Sequence, residues 1–323
     1  MVHAEPVQTY DAIIIGGGPA GSTCARFLTR SGARVVILDR NRFPRVKLCA
    51  GWLSRPVCDV MEIAPDRYPR GLWPWERCHV HYGERRYTIA ARGYFIRRYE
   101  FDDYLLRSSG ADIVEGHSVR DMVRDGDRWV IDGRYAAPVL IGAGGTHCPV
   151  ARTLFDGVGA RAGRRPVGVQ EHEFSCESAA VARHLSGRDG EPELLLHGDL
   201  RGYSWNIPKT DWINIGCGTI NPREVRAAWT RARDYFEDQG QVPPQAQAAL
   251  DHMKGHSYYL FHDEHLDHAA RPDGAYLVGD ALGLAQPLTA EGILPAILSG
   301  RLCAEAVAAG APERYGPLLR DHP

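Results

Sequence analysis

The sequence predicts an α/β (α+β overall) protein, in which a Rossmann-like βαβ domain holds an inserted, mostly antiparallel β-sheet domain. Three observations carry this reading. Residues 11–40, DAIIIGGGPAGSTCARFLTRSGARVVILDR, have the form of one βαβ unit. A long middle section alternates apolar and polar residues between glycine turns, as antiparallel strands do. An apolar strand at 275–278 and a long apolar helix at 291–309 then return the chain to α/β character.

The opening unit is the most specific. Ala12 to Ile15 read as a short buried strand, and Gly16, Gly18 and Gly21 then fit G-x-G-x-x-G. An amphipathic helix follows and stops at Gly32. A second strand, 34–38, ends at Asp39, which lies 21 residues after the middle glycine; a dinucleotide site places its acid about 20 residues on. Gly16 permits the tight turn, Gly18 lets the backbone approach a pyrophosphate, and Gly21 lets helix and strand pack. Free N–H groups at the helix start, with Pro19 and Ala20 in its first turn, favour phosphate. Asp39 can accept hydrogen bonds from a ribose.

With 323 residues the chain can form two domains or one large one. A net charge of −2 gives no argument for nucleic acid or for an anionic membrane surface. The eight cysteines contain no C-x-x-C pair, which points to a reducing cytoplasm and to no zinc ribbon. MVHAEPVQTY lacks the pattern of a signal peptide. No apolar run approaches the roughly 18 residues needed to span a bilayer, so membrane contact is expected to be peripheral at most.

In chain order, 40–53 is a basic loop and 54–75 is irregular, with a short helix near 55–62. Strands are expected at 79–82, 86–91 and 94–97, with Gly83 and Gly93 in turns, followed by a helix at 101–108. Further strands fall at 113–114, 119–124, 128–131 and 138–141. The pattern is again β at 166–176, 193–197, 202–207 and 211–219; helices follow at 222–238 and 241–252. The spacing HDEHLDH (262–268) invites a metal reading, but it lacks the H-E-x-x-H arrangement. It is read as a surface loop, and no metal is expected.

Four stretches together carry a family likeness. FPRVKLCAGW (43–52) is similar to F-P-R-x-K-x-C-G, with Ala50 at the first glycine. YSWNIPKTDWINIGCG (203–218) is similar to Y-x-W-x-F-P-K…N-x-G-x-G. YLVGDALGLAQPLTAEGI (276–293) is similar to a second FAD motif, with Ala290 where P-x-x-G-E-G has glycine. With the opening fingerprint, the chain resembles the FAD-dependent oxidoreductases of the para-hydroxybenzoate-hydroxylase fold, and among them the geranylgeranyl reductases. The resemblance implies a discontinuous FAD-binding domain (1–75, 101–165 and 270–323) and a substrate-binding sheet domain (76–100 and 166–269).

The cofactor-binding residues implied are Gly16, Gly18, Pro19, Ala20, Gly21, Asp39, Arg40, Arg45, Lys47, Cys49, Ala50, Arg98, Val119, Gly144, Gly279, Asp280, Pro287, Glu291, Gly292 and Ile293. Asp280 falls to the ribityl chain, and the Gln286–Gly292 turn to the flavin ring. Gly144 stands where the fold's G-A-D-G motif has Asp, which argues against direct use of NAD(P)H. The electron donor is therefore left open between NAD(P)H and a donor protein. Cys49, near the flavin face, is the catalytic candidate, as a proton donor or substrate-positioning group; a buried structural cysteine is the plain alternative. Tyr203 and Trp205, two apart on a strand, share one face and form a candidate substrate wall. The implied activity is reduction of a C=C bond in a hydrophobic, isoprenoid-type substrate by reduced FAD. Two alternatives stand beside it: an aromatic monooxygenase or halogenase, and a flavin-binding protein without catalysis.

Overall fold

Four consecutive apolar residues, all at most 5% exposed, make Ala12–Ile15 a strand covered on both faces. Such strands belong in the middle of a parallel sheet. In a computed structural model, which describes residues 6–155, 166–184, 191–251 and 254–322, it lies at the centre of five parallel strands. Their order is Ala275–Leu277, Val139–Gly142, Ala12–Ile15, Val35–Asp39 and Asp112–Glu115. Strands from positions 12 and 275 thus share one sheet, which makes this layer discontinuous in sequence. A four-stranded sheet of Gln8–Thr9, Tyr135–Ala137, Arg128–Ile131 and Met122–Asp125 flanks it. The Trp129 indole N–H donates to the Asp273 carbonyl at 2.9 Å and ties the two regions together.

The helix Pro19–Arg30 packs on Val35–Asp39 and, more extensively, on the helix Ile293–Ala308. Gly300 makes that crossing close: a Cβ there would lie 2.3 Å from the Ala20 carbonyl oxygen. This contact holds the C-terminal helix beside the dinucleotide loop. No helix among the described residues is long and apolar enough to cross a membrane.

The third layer is an eight-stranded sheet. Its order is Lys254–Tyr258, Val167–Ser175, Trp212–Thr219, Gly202–Lys209, Glu193–Leu196, Trp73–Tyr82, Arg85–Phe95 and Trp52–Ser54. Every pairing is antiparallel except that of Glu193–Leu196 with Trp73–Tyr82. The helix Val225–Asp238 covers one face through Trp229 and Phe236.

Several sequence expectations need correction. The sheet begins earlier than residue 76, because Trp52–Ser54 and the start of Trp73–Tyr82 already pair in it. Residues 85–95 form one strand rather than two. Gly93 sits within it, not in a turn, because the bare backbone makes room for the Trp75 indole, 2.7 Å from where a Cβ would lie. The helix expected at 101–108 starts at Arg98 and runs to Arg107. The strand Lys254–Tyr258, rich in polar residues, was not expected. Residues 263–268 form a 3₁₀ turn rather than a plain surface loop. His265 is buried there, with its Nδ1 3.0 Å from the Gly283 carbonyl oxygen. The expected boundary at 165, and residue 252 of the expected 241–252 helix, lie outside the described residues.

The Gly300 crossing gives a test. Gly300→Ala should lower the unfolding free energy by about 1–3 kcal/mol, the usual effect of overpacking, as read by urea denaturation. Unchanged stability would show that the two helices are not held this closely.

Candidate active site

The turn after Ala12–Ile15 needs Gly16. Its φ is +114°, and a Cβ would lie 2.4 Å from the Ala143 carbonyl oxygen. Gly18 is different, since a Cβ there would meet only Arg45, at 3.5 Å. Its bare backbone faces a cavity instead of packing on protein. Gly18 caps the Pro19–Arg30 helix with no side-chain partner and no acid in the first turn, so the first N–H groups are left for an anion. Asp39, 6% exposed, accepts from the Gly17 N–H at 2.7 Å and the Asn41 N–H at 2.7 Å. It fixes this loop while lining the same cavity.

A second helix start faces that cavity. Gly292 precedes Ile293–Ala308, again with no side-chain cap, and Glu291, Gly292, Ile293 and Ala296 line the space. Ala290 has φ +57°, a left-handed conformation that glycine adopts freely. The glycine expected at this motif position therefore answers a backbone need that Ala290 meets at a cost. Glu291 accepts from the Ser54 hydroxyl at 2.8 Å, and burial raises its pKa. Asp280, Arg40, Val119 and Gly144 also line the cavity. Pro287 does not: it is exposed, and its neighbours Leu288–Gly292 form the wall instead. Gly21 and Gly279 are absent from the lining as well. They are packing glycines, set against Gly16 and against Ala20 and Ala296.

The basic loop after Asp39 crosses between the two layers. Arg45 reaches Asp102 at 3.2 Å, and its buried Nε has no partner. Arg98 grips both oxygens of Asp102, at 2.6 and 2.7 Å, and reaches the Cys49 thiol. Burial lowers the Lys47 pKa, and the charge of Arg98 adds to the effect. The Cys49 backbone is held from the sheet on both sides. Its N–H donates to Glu171, and its carbonyl accepts from the Asn214 carboxamide at 3.3 Å. The same Asn214 accepts from the Trp205 indole N–H at 2.7 Å. At Gly51, with φ +75°, the chain passes so close to Ile96 that a Cβ would lie 1.9 Å from its carbonyl oxygen. The fully buried Lys209 bonds that carbonyl at 2.9 Å and Glu173 at 2.6 Å. Ala50 is not among the residues with positive φ, which explains why alanine serves where the family motif has glycine.

Cys49, Tyr203 and Trp205 all line one cavity, together with Lys47 and Ala50. The Tyr203 and Trp205 ring centroids are 5.9 Å apart, and the Tyr203 hydroxyl donates to the Thr289 carbonyl at 2.5 Å. That bond links the sheet to the turn before Gly292. Val80, Val169, Leu194 and Ile207 complete an apolar wall. Sequence reasoning missed four residues here: Glu171, Asn214, His256 and Lys209 in its structural role. The alternation of 203–218 puts Asn214 in a strand, but nothing in the sequence shows that it spans Trp205 and Cys49.

These residues fit a dinucleotide flavin. Two uncapped helix starts, an open Gly18 backbone and an orphaned Arg45 donor suit phosphates. Asp39 and Asp280 line the same cavity, as acceptors for sugar or ribityl hydroxyls.

Glu171 gives a test with a definite sign. Burial pushes its carboxyl from 4.5 up to about 7, against the Cys49 N–H bond and the Lys209 charge that favour ionisation. Its folded-state pKa is raised, so stability falls as pH climbs from about 4.5 through 7. Glu171→Gln, neutral throughout, should match wild type near pH 4 and exceed it by about 3 kcal/mol at pH 8, as read by urea unfolding. A difference that does not grow with pH would contradict the assignment.

Comparison with known proteins agrees with this fold. Residues 14–46 match the NAD(P)-binding Rossmann-like domain family. Menaquinone reductase of Mycolicibacterium smegmatis is 28% identical over 97% of this chain and 80% of its own. Digeranylgeranylglycerophospholipid reductase 3 of Methanosphaera stadtmanae is 23% identical over 93% and 79%. Among solved structures, a geranylgeranyl bacteriochlorophyll reductase-like protein of Thermoplasma acidophilum superposes with TM-score 0.76 at 20% identity, over 98% of this chain and 84% of that one. The myxobacterial chondrochloren halogenase superposes with TM-score 0.74 at 22% identity, over 97% and 79%. With the FAD motifs gathered on one cavity, the chain has the fold of these FAD-dependent enzymes and is similar in sequence, over most of its length, to the menaquinone and digeranylgeranylglycerophospholipid reductases.

Proposed function

We propose that the protein reduces a carbon–carbon double bond in a hydrophobic substrate of isoprenoid type. The observation that supports this is one continuous cavity of about 910 Å³, lined from Asp39 through Gly16–Ala20 and Asp280 to the wall of Tyr203, Trp205 and Ile207. Its size is that of a ligand pocket, and its sheet end is apolar, as a hydrocarbon chain requires. Bound FAD supplies the hydride.

The chain's own residues do the rest. Gly16, Gly18, the start of the Pro19–Arg30 helix and Arg45 would hold the pyrophosphate, Asp39 the adenosine ribose and Asp280 the ribityl hydroxyls. The uncapped start of Ile293–Ala308 stabilises negative charge at the reacting end. Tyr203 and Trp205 press the substrate chain into place. Cys49 supplies the proton or positions the carbon that takes it, and the charge left on sulfur sits beside Arg98. Either NAD(P)H or a donor protein delivers the electrons.

A second reading, oxygen-dependent attack on an aromatic, draws on YSWNIP (203–208), one residue from the W-x-W-x-I-P stretch of flavin halogenases. Oxygen-dependent modification of an aromatic, with no alkene turnover, would favour it.

The test is anaerobic reoxidation of the reduced protein by a panel of prenyl lipids, with the product identified by mass spectrometry. A saturated product is expected, and no turnover across the panel would reject the reading. Cys49→Ala should keep its FAD but lose about 10²-fold in rate, the usual contribution of a positioned acid. An unchanged rate would remove Cys49 from the chemistry.

A further inference from the structure

Glu171 is the feature that an apolar chamber does not explain. It is 2% exposed, lies on the strand Val167–Ser175 and lines the cavity. One oxygen accepts the Cys49 N–H, while the other, Oε2, is buried with no partner. A Cβ at Gly216 would lie 2.3 Å from the Trp205 ring and 2.8 Å from the Glu171 Cβ, so the Glu171 side chain starts on the same face of the sheet as the indole. His256, diagonal to it across the register of Val169 with His256, also lines the cavity, and its buried Nδ1 has no partner. Leaving a buried polar group unpaired costs about 1–3 kcal/mol, so two on one wall point to a ligand group that meets them.

We propose that Glu171, with His256 beside it, anchors a neutral oxygen, a hydroxyl or carbonyl, at the end of an otherwise apolar substrate. The proposal rests on the hydrophobic-substrate reading above and specifies the class. Because Oε1 accepts an N–H, the acid's proton resides on Oε2, the oxygen without a partner, and is there to be donated. The wall around it carries little charge. Burial, with Lys47 and Arg98, pushes the His256 pKa down to about 3, and burial raises those of Tyr203 and Tyr258. The charged groups near Glu171 are Lys47 on the loop, Lys209 paired with Glu173, and Lys254, its exposed register partner on the neighbouring strand. The protonated Glu171 and the neutral His256 imidazole receive a neutral head group without stranding a charge.

The experiment titrates FAD-loaded protein with geranylgeraniol, geranylgeranyl diphosphate and the matching prenyl hydrocarbon in mixed micelles. Fluorescence of Trp52 and Trp205, which line the cavity, reports binding. At pH 6 the alcohol should bind at least about tenfold more tightly than the hydrocarbon or the diphosphate. Above pH 7 it should weaken about tenfold per unit, as expected when only the protonated acid binds. Glu171→Gln should retain the preference and lose the pH dependence; Glu171→Leu should bind alcohol and hydrocarbon alike. Tightest binding of the diphosphate, or an alcohol preference in wild type that ignores pH and persists in Glu171→Leu, overturns the anchor. Turnover separates the two readings. Saturation of an alcohol whose binding ignores Glu171 overturns the anchor alone, whereas Glu171-dependent binding without saturation overturns the reductase reading alone.

Discussion

The site depends on how the Cys49 backbone is held. Its N–H is bonded by the Glu171 carboxyl and its carbonyl by the Asn214 carboxamide, and both side chains come from the eight-stranded sheet. Cys49 itself belongs to the loop that leaves the dinucleotide sheet after Asp39. Two bonds therefore join the layer that holds the cofactor to the layer that shapes the chamber. Asn214 carries the link further, since it also fixes the Trp205 indole. A shift of the sheet would move the thiol and the substrate wall together. Such coupling keeps reacting groups in register to the fraction of an ångström that catalysis requires.

The close crossing at Gly300 performs the matching task on the other side. It brings the C-terminal helix against the dinucleotide helix, so that two helix starts point into one cavity. Tyr203 then closes the ring through its bond to the Thr289 carbonyl. The cavity is thus framed by three layers, and burial within it decides the charge states. Glu171 is pushed toward its neutral form, His256 toward neutral imidazole, and Lys47 toward a lower pKa. Arg98 keeps its charge because Asp102 grips it with both oxygens.

Much of this was legible in the sequence, for physical reasons. The βαβ unit is local, so strand, glycines, helix and Asp39 follow one another within about thirty residues. Tyr203 and Trp205 share a face because a strand alternates with period two, and the structure places both on the cavity. What the sequence concealed depends on contacts across long separations. Glu171 reads as one polar residue in an alternating strand; its role appears only when the loop from position 49 arrives. Lys209 falls in the 203–218 stretch, and nothing in its strand pattern shows that it is wholly buried against Glu173 and the Ile96 carbonyl. The extent of 85–95 was misread because Gly93 looks like a turn until Trp75 is seen lying over it. Pro287 was placed by motif alone, and the motif's left-handed residue, Ala290, turns the wall so that 288–292 face inward instead.

The central claim is that cofactor and substrate occupy one continuous space, with Cys49 between the two layers. A crystal structure of the FAD-loaded protein with a bound prenyl alcohol tests it most directly. The account predicts cofactor density running from Asp39 past Gly18 to Gly292, and the prenyl chain lying against Tyr203 and Trp205. Density for the cofactor elsewhere, or a sheet wall walled off from the flavin, would contradict it.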